Sequence, residues 1–213
     1  MKLYDYFRST ACYRVRIALH IKNIRYEKID VHLINHGGEQ HSPEYRAINP
    51  QELVPSLEID GQFLSQSLAI ISYLNETYPS PPLLPHNPMD RATVKSLALI
   101  IACDMHPLNN LRVLNRLKEQ FHADETQITE WYHQWLKAGF DGFEGQLKQI
   151  KRTQPFCFGD TVTLADLCLI PQVYNANRFH FTMDNYPLIN EINAHCLTLE
   201  PFKKAAPDVP GST

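Results

Sequence analysis

The sequence contains no apolar run approaching the roughly 18 residues that a membrane-spanning helix needs. Its start lacks the charged-then-apolar order of a signal peptide, and the chain reads as cytoplasmic. A basic excess is missing too: 20 Lys and Arg stand against 23 Asp and Glu, a formal charge of -3, which excludes the usual footprint of a nucleic-acid binder. The five cysteines, Cys12, Cys103, Cys157, Cys168 and Cys196, are odd in number, widely spaced and without a C-x-x-C pair. Neither a disulfide framework nor a zinc knuckle is indicated. The ten histidines are scattered, with no H-E-x-x-H, so no metal is expected. No repeat or low-complexity tract is visible. What is present is ordinary for a globular protein: 213 residues, 44% hydrophobic and 20% charged, enough for one large domain or two small ones.

The most informative stretch runs from Leu3 to Leu19. An aromatic and apolar start suits a strand, small and hydroxylic residues follow, and Val15, Ala18 and Leu19 recur at helical spacing. Ser9, Thr10 and Cys12 therefore fall at a helix N-terminus, where free N–H groups and the macrodipole favour an anion such as a thiolate. Ser or Thr before a helix is also the ordinary N-cap, and that reading stands beside the functional one.

Further on, Ile29, Val31 and Leu33 alternate, which predicts a strand over 26–33. Asp60-Gly61 between two apolar runs predicts a hairpin, because both central residues of a type I′ turn need positive φ. Gln66-Ser67 opens an amphipathic helix that Pro79 ends. Five prolines between Pro79 and Pro88 mark a boundary, giving residues 1–80 as an α/β domain, 81–88 as a linker and 89–213 as an all-helical domain. In that second part Val94, Leu97, Ala98, Ile101 and Met105 share one helix face. Trp131, Trp135, Phe140, Phe143 and Leu147 form a core stripe on another. Thr163 and Asp166 form a capping-box pattern worth about 1 kcal/mol, and Pro171 should kink the helix that follows. Taken alone, Arg112, Arg116 and Arg152 read as solvated surface charges.

Four motifs, F-R-S-T-A-C-Y-R-V-R-I-A-L, N-P-Q-E-L-V-P-S-L, Q-S-L-A-I-I-S-Y-L and G-D-T-V-T-L-A-D-L-C-L-I-P-Q-V, together resemble the zeta class of cytosolic glutathione transferases. That class includes maleylacetoacetate isomerase and the bacterial maleylpyruvate isomerases. The resemblance implies a thioredoxin-like α/β N-terminal domain, an all-α C-terminal domain and a homodimer. It implies glutathione as cofactor, with Ser9 and Thr10 beside its sulfur, a cis Pro55 with the Val54 backbone pairing to its cysteinyl unit, Gln66 and Ser67 on its γ-glutamyl end, and Gln40 also holding it. Where the family carries a cysteine this chain has Ala11, and Cys12 stands one residue later, about 100° around the helix, which favours a packed role.

The implied activity is glutathione-dependent cis–trans isomerisation of a maleyl keto acid, maleylacetoacetate first, in tyrosine, phenylalanine or other aromatic breakdown. Arginines suit the substrate's carboxylates because their fork binds bidentately. The motif positions imply Arg8 and Arg178, and the segment around Cys103–Arg112, similar to bacterial maleylpyruvate isomerases, implies His106, Asn110 and Arg112. His106 beside Pro107 reads equally as a satisfied interior histidine. Maleylpyruvate isomerisation, general glutathione transferase or peroxidase activity, thiol–disulfide chemistry through Cys12 and a non-catalytic adaptor are the rivals.

Overall fold

The computed structural model describes residues 1–150 and 152–207, and the chain forms two compact units. The first comprises Met1–Pro82 with the segment from Thr198 onward. Strand β1 (Lys2–Asp5) leads through a turn to helix α1 (Thr10–Ile21) and strand β2 (Glu27–Asp30), which pairs parallel to β1. Helix α2 (Pro43–Ile48) precedes β3 (Ser56–Ile59) and β4 (Gln62–Ser65), and α3 (Ser67–Thr77) closes the run. The sheet order is β2-β1-β3-β4, with β3 antiparallel to both neighbours. This is the α/β half expected. Asp60 and Gly61 both have positive φ, as the hairpin turn requires.

Three local expectations differ. The second strand is shorter than 26–33 because it lies at the sheet edge, mostly exposed, and the chain turns away into two short 3-10 turns, Asn35–Gly37 and Glu39–His41. Helix α2 was not anticipated, although Ser42 capping the Tyr45 N–H and Pro43 at the first helical position are ordinary start signals. Pro88 is not linker but the first residue of the next helix, whose N-cap Asn87 accepts from the N–H groups of Met89 and Asp90.

The second unit, Leu83–Leu197, is helical. Helix α4 (Pro88–Leu99) runs into a π-helical turn, Ile100–Met105, where the His106 N–H bonds the Ile101 carbonyl and Pro107 then offers no donor. Val94, Leu97, Ala98, Ile101 and Met105 are all buried, as their spacing predicts. Helices α5 (Leu111–Phe121), α6 (Glu125–Gln149), α7 (Leu164–Arg178) and α8 (Pro187–Cys196) follow. On α6 the predicted stripe is displaced: Phe140, Phe143 and Leu147 are core, but Trp131 and Trp135 are half-buried while Tyr132 and Leu136 point inward. Arg152 is not a solvated charge; it donates to the Phe156 carbonyl and pairs with Glu191. Asp166 is buried and accepts from the Thr163 N–H, the Thr163 hydroxyl and the Cys157 N–H.

The terminal helix α9 (Glu200–Ala205) packs on α1, so the helical segment assigned by sequence to 89–213 does not stay with its neighbours. The Tyr13 hydroxyl donates to the Phe202 carbonyl at 3.3 Å and Arg16 Nε to the Ala205 carbonyl at 2.9 Å. Both helices are apolar where they meet, which periodicity alone could not assign to a partner. The last residues of that predicted domain, 208–213, and Lys151 lie outside the described residues.

Candidate functional site

The turn between β1 and α1 places Ser9 as the N-cap, its hydroxyl oxygen accepting the Cys12 N–H at 3.2 Å. Capping occupies a lone pair and leaves the O–H a rotatable donor at the positive end of α1. Thr10, the first helical residue, is buried, and Arg8 is exposed with its guanidinium 5.0 Å from the Phe7 ring. Cys12 is fully buried, and burial pushes its thiol well above the ordinary value, with the Asp5 charge adding to the rise and the Arg16 charge opposing it. Such a sulfur is packed and unreactive.

The other predicted residues of the first unit lie in segments fixed by their own hydrogen bonds. The Val54–Pro55 peptide is cis and precedes β3. The segment before it is held by the Leu53 carbonyl, which accepts from the Tyr45 hydroxyl at 2.7 Å and from Asn49 Nδ2 at 2.6 Å. Tyr45 also touches the Ser56 hydroxyl, and burial raises its phenol to about 12. Gln66, with φ of 70°, is exposed and donates from Nε2 to Gln51 Oε1 at 2.8 Å. Ser67 begins α3 and accepts from Arg14 Nη1 at 3.3 Å. A guanidinium of α1 therefore stands beside the hydroxyl that opens α3, at a helix start where an anion is favoured.

Gln40 belongs to a separate set of bonds in the same unit. His41 contacts Glu52 through Nδ1, Arg46 Nε bonds the other oxygen of Glu52 at 2.8 Å, and the His41 bond holds the Glu52 carboxyl below its usual range. Gln40 is buried, its Nε2 faces His41 and the Leu33 carbonyl, and its Oε1 has no partner. Gly38, with φ of 101°, lies so close that a Cβ there would sit 2.5 Å from Gln40 Nε2. An orphaned buried acceptor, a rotatable hydroxyl, two helix starts and a backbone edge beside a cis proline form a donor and acceptor set suited to a small peptide carrying a thiol and a carboxylate. On that observation the chain's residues fit glutathione.

The second unit carries the other predicted residues. His106 is half-buried at the end of the π turn; the Asn110 side chain caps α5 by accepting the Arg112 N–H at 3.1 Å; and Arg112 is exposed. Arg178 ends α7, exposed, donating to Asn175 Oδ1 at 3.3 Å with its guanidinium 5.1 Å from the Phe179 ring. Among the described residues no carboxylate pairs with Arg8, Arg112 or Arg178, whereas Arg16, Arg46 and Arg152 each have one. Helix α6 links the two sets within this unit: Asn109 Nδ2 donates to the Tyr132 carbonyl at 3.1 Å, and Asn175 Nδ2 donates to the Tyr132 hydroxyl. Gly139 on α6 makes room for Met105, whose Cε a Cβ there would strike.

Sequence reasoning missed Arg14, Tyr45, Asn49, Gln51 and Tyr132, the residues that hold the named ones in place. Arg14, Asn49 and Gln51 lay inside the quoted motifs, but the partners of Arg14 and Gln51, Ser67 and Gln66, lie in other elements.

The family described as "Glutathione S-transferase, N-terminal domain" matches residues 3–82. A probable maleylacetoacetate isomerase of Vibrio cholerae is 48% identical over 207 residues, covering 97% of this chain and 95% of its own. A maleylpyruvate isomerase of a Ralstonia species is 46% identical over 208 residues, covering 97% of each. Among solved structures, a glutathione S-transferase of Legionella pneumophila is 63% identical with a TM-score of 0.88, covering 98% of this chain and all of that one. The holo form of a maleyl pyruvate isomerase, described as a bacterial zeta-class glutathione S-transferase, is 45% identical with a TM-score of 0.96 over the whole of both chains. A maleylacetoacetate isomerase of Methylobacterium extorquens with bound malonate and glutathione is 40% identical with a TM-score of 0.94, again over the whole of both.

Proposed function

Because the chain belongs to the zeta class of glutathione transferases, the family of the maleylacetoacetate and maleylpyruvate isomerases, we propose that it is a glutathione-dependent cis–trans isomerase of a maleyl keto acid. Maleylacetoacetate is the first candidate substrate and maleylpyruvate the second; the cell compartment is the cytoplasm and the assembly a homodimer.

Bound glutathione supplies a thiolate that can add to an activated double bond and leave again, which frees rotation about that bond. The chain's own residues do the rest. Ser9 offers its O–H, and the N-terminus of α1 its dipole, to hold the sulfur as an anion, with Thr10 beside it. Gln40, the Val54 backbone beside cis Pro55, Gln66 and Ser67 bind the peptide, Ser67 being steadied by Arg14. Arg8, Arg112 and Arg178, free of acidic partners among the described residues, take the substrate's carboxylates, with His106 and Asn110 as further substrate contacts. An arginine near the carbonyl also opposes the negative charge that develops when a thiolate adds.

The observation that carries this reading is the pairing of a peptide-binding donor and acceptor set with the burial of Cys12. The set suits an external thiol, and the one cysteine at the helix start is packed away, which disfavours thiol–disulfide chemistry. The test is the rate of isomerisation of maleylacetoacetate and of maleylpyruvate with and without glutathione. Glutathione-dependent turnover is expected, lost in Ser9→Ala and weakened in Arg8→Ala and Arg178→Ala; the ratio of the two kcat/KM values names the substrate. Conjugation of a model electrophile without turnover of either keto acid would make it a general transferase instead. Sedimentation of the purified protein checks the dimer.

A further inference from the structure

Resting on that dicarboxylate reading, we propose that Tyr132 is a positioning residue: through Asn175 and Asn109 it sets Arg178 against the His106–Asn110 turn, and so governs affinity for the substrate's carboxylates.

Tyr132 is 1% exposed and is used in three directions. Its carbonyl accepts from Asn109 Nδ2 at 3.1 Å, while the neighbouring Trp131 donates from Nε1 to the Leu108 carbonyl at 2.9 Å. Two consecutive residues of α6 thus hold two consecutive residues of the turn that follows His106. The Tyr132 hydroxyl accepts from Asn175 Nδ2, and the other end of that amide, Oδ1, accepts from Arg178 Nη1. Its ring stacks on Phe179, centroids 3.8 Å apart and planes 14° from parallel, and the same Phe179 ring lies 5.1 Å from the Arg178 guanidinium. His133 Nε2 donates to the Phe179 carbonyl at 2.8 Å, fixing the backbone next to Arg178.

The amide of Asn175 explains why the hydroxyl matters. With Nδ2 turned to the tyrosine oxygen, Oδ1 must face the arginine, where an acceptor is attractive. Turned the other way, the amide would present N–H groups to a cation. The guanidinium, a donor only, thus fixes the amide orientation, and the hydroxyl, by accepting the Nδ2 N–H at the other end, anchors the amide so that it holds an exposed arginine in one place. An arginine free to sample its rotamers loses about 2 kcal/mol of entropy when it is fixed, so holding it beforehand favours a bound carboxylate.

The test is a double-mutant cycle in the full-length protein, read in two ways: KM and kcat for both keto acids, and the affinity for malonate, an unreactive dicarboxylate, by calorimetry. Tyr132→Phe keeps the stacked ring and removes the oxygen. It is expected to raise the keto-acid KM and weaken malonate by about fivefold to tenfold, the effect of one net hydrogen bond, with the glutathione KM unmoved. In an Arg178→Ala background the same substitution should change malonate affinity little, because its effect travels through Arg178. Equal losses in both backgrounds, a matching change in glutathione KM, or no change at all would overturn the proposal. Wild-type protein that binds malonate but turns over neither keto acid would refute the isomerase reading while the calorimetric cycle still decides the role of Tyr132. Absence of malonate binding in the wild type would overturn the proposal itself.

Discussion

Single residues in the first unit are set by what surrounds them more than by their type. Tyr45 shows this: burial raises its phenol to about 12 while it bonds the Leu53 carbonyl and the Ser56 hydroxyl. An acid whose folded pKa lies above its ordinary value of about 10 stabilises the fold fully below pH 10, and that contribution is lost as pH rises from 10 through 12. Loss on the order of 2 to 3 kcal/mol is expected from Tyr45 across that window, and denaturant melts at pH 9 and 12 should show the wild type losing that much more stability than Tyr45→Phe, in which the other buried phenols still titrate. Gly38 gives a second case. Alanine there must adopt a φ that side chains rarely take and must push on the Gln40 amide. Gly38→Ala should raise the glutathione KM several-fold with less change in kcat, which steady-state kinetics at saturating keto acid would read; an unchanged KM would remove Gln40 from the binding set.

At the scale of elements, several helix ends are closed by groups from far along the chain. Glu144, buried on α6, accepts from the N–H groups of Leu188 and Ile189 at 3.1 and 3.0 Å, and so caps the first turn of α8. The α8 N-cap residue, Tyr186, supplies no side-chain capping bond, its hydroxyl donating to Asp141 instead. Glu144→Ala should cost about 1 to 3 kcal/mol, set chiefly by the buried Ile189 N–H left unpaired beside the half-buried one of Leu188, and Glu144→Gln should recover part of it. For a chain of this length that is roughly 2 to 4 °C in melting temperature per kcal/mol, within reach of calorimetry. By contrast, α6 begins with a purely local device, Asp124 and Gln127 exchanging bonds at 2.9 Å.

For the molecule as a whole, the end of the chain matters to the unit that begins it. Arg16 of α1 bonds Asp5 of β1 at 2.6 Å, the Phe7 carbonyl at 3.0 Å and the Ala205 carbonyl of α9 at 2.9 Å. One buried guanidinium thus ties the strand, the turn leading to Ser9 and the terminal helix. Replacing Arg16 by Met leaves a buried carboxylate without its cation and should cost about 3 to 5 kcal/mol. The double variant Asp5→Asn with Arg16→Met should be less destabilised than the single one. Melting temperatures of the three proteins check this, and equal losses in the single and double variants would show that the packing of α9, not the ion pair, carries the stability.

The sequence by itself determined what local chemistry can specify. Ser9 at a helix start, Asp60-Gly61 in a hairpin turn, the buried face of α4 and the Thr163–Asp166 pair are all legible because each depends on residues a few positions apart. The family resemblance was likewise carried by short motifs. The structure alone decided which surfaces meet. Arg14 with Ser67 and Tyr132 with Asn175 join residues in different elements, and Tyr13 with Phe202 and Arg16 with Ala205 are each separated by 189 positions. Periodicity states which side of a helix avoids water but not what covers it, so Trp131 was read as core where Tyr132 lies, and α9 was left with the wrong half. Hydrogen-bond partners are chosen once packing has brought buried donors and acceptors within about 3 Å of each other, and only tertiary contacts do that.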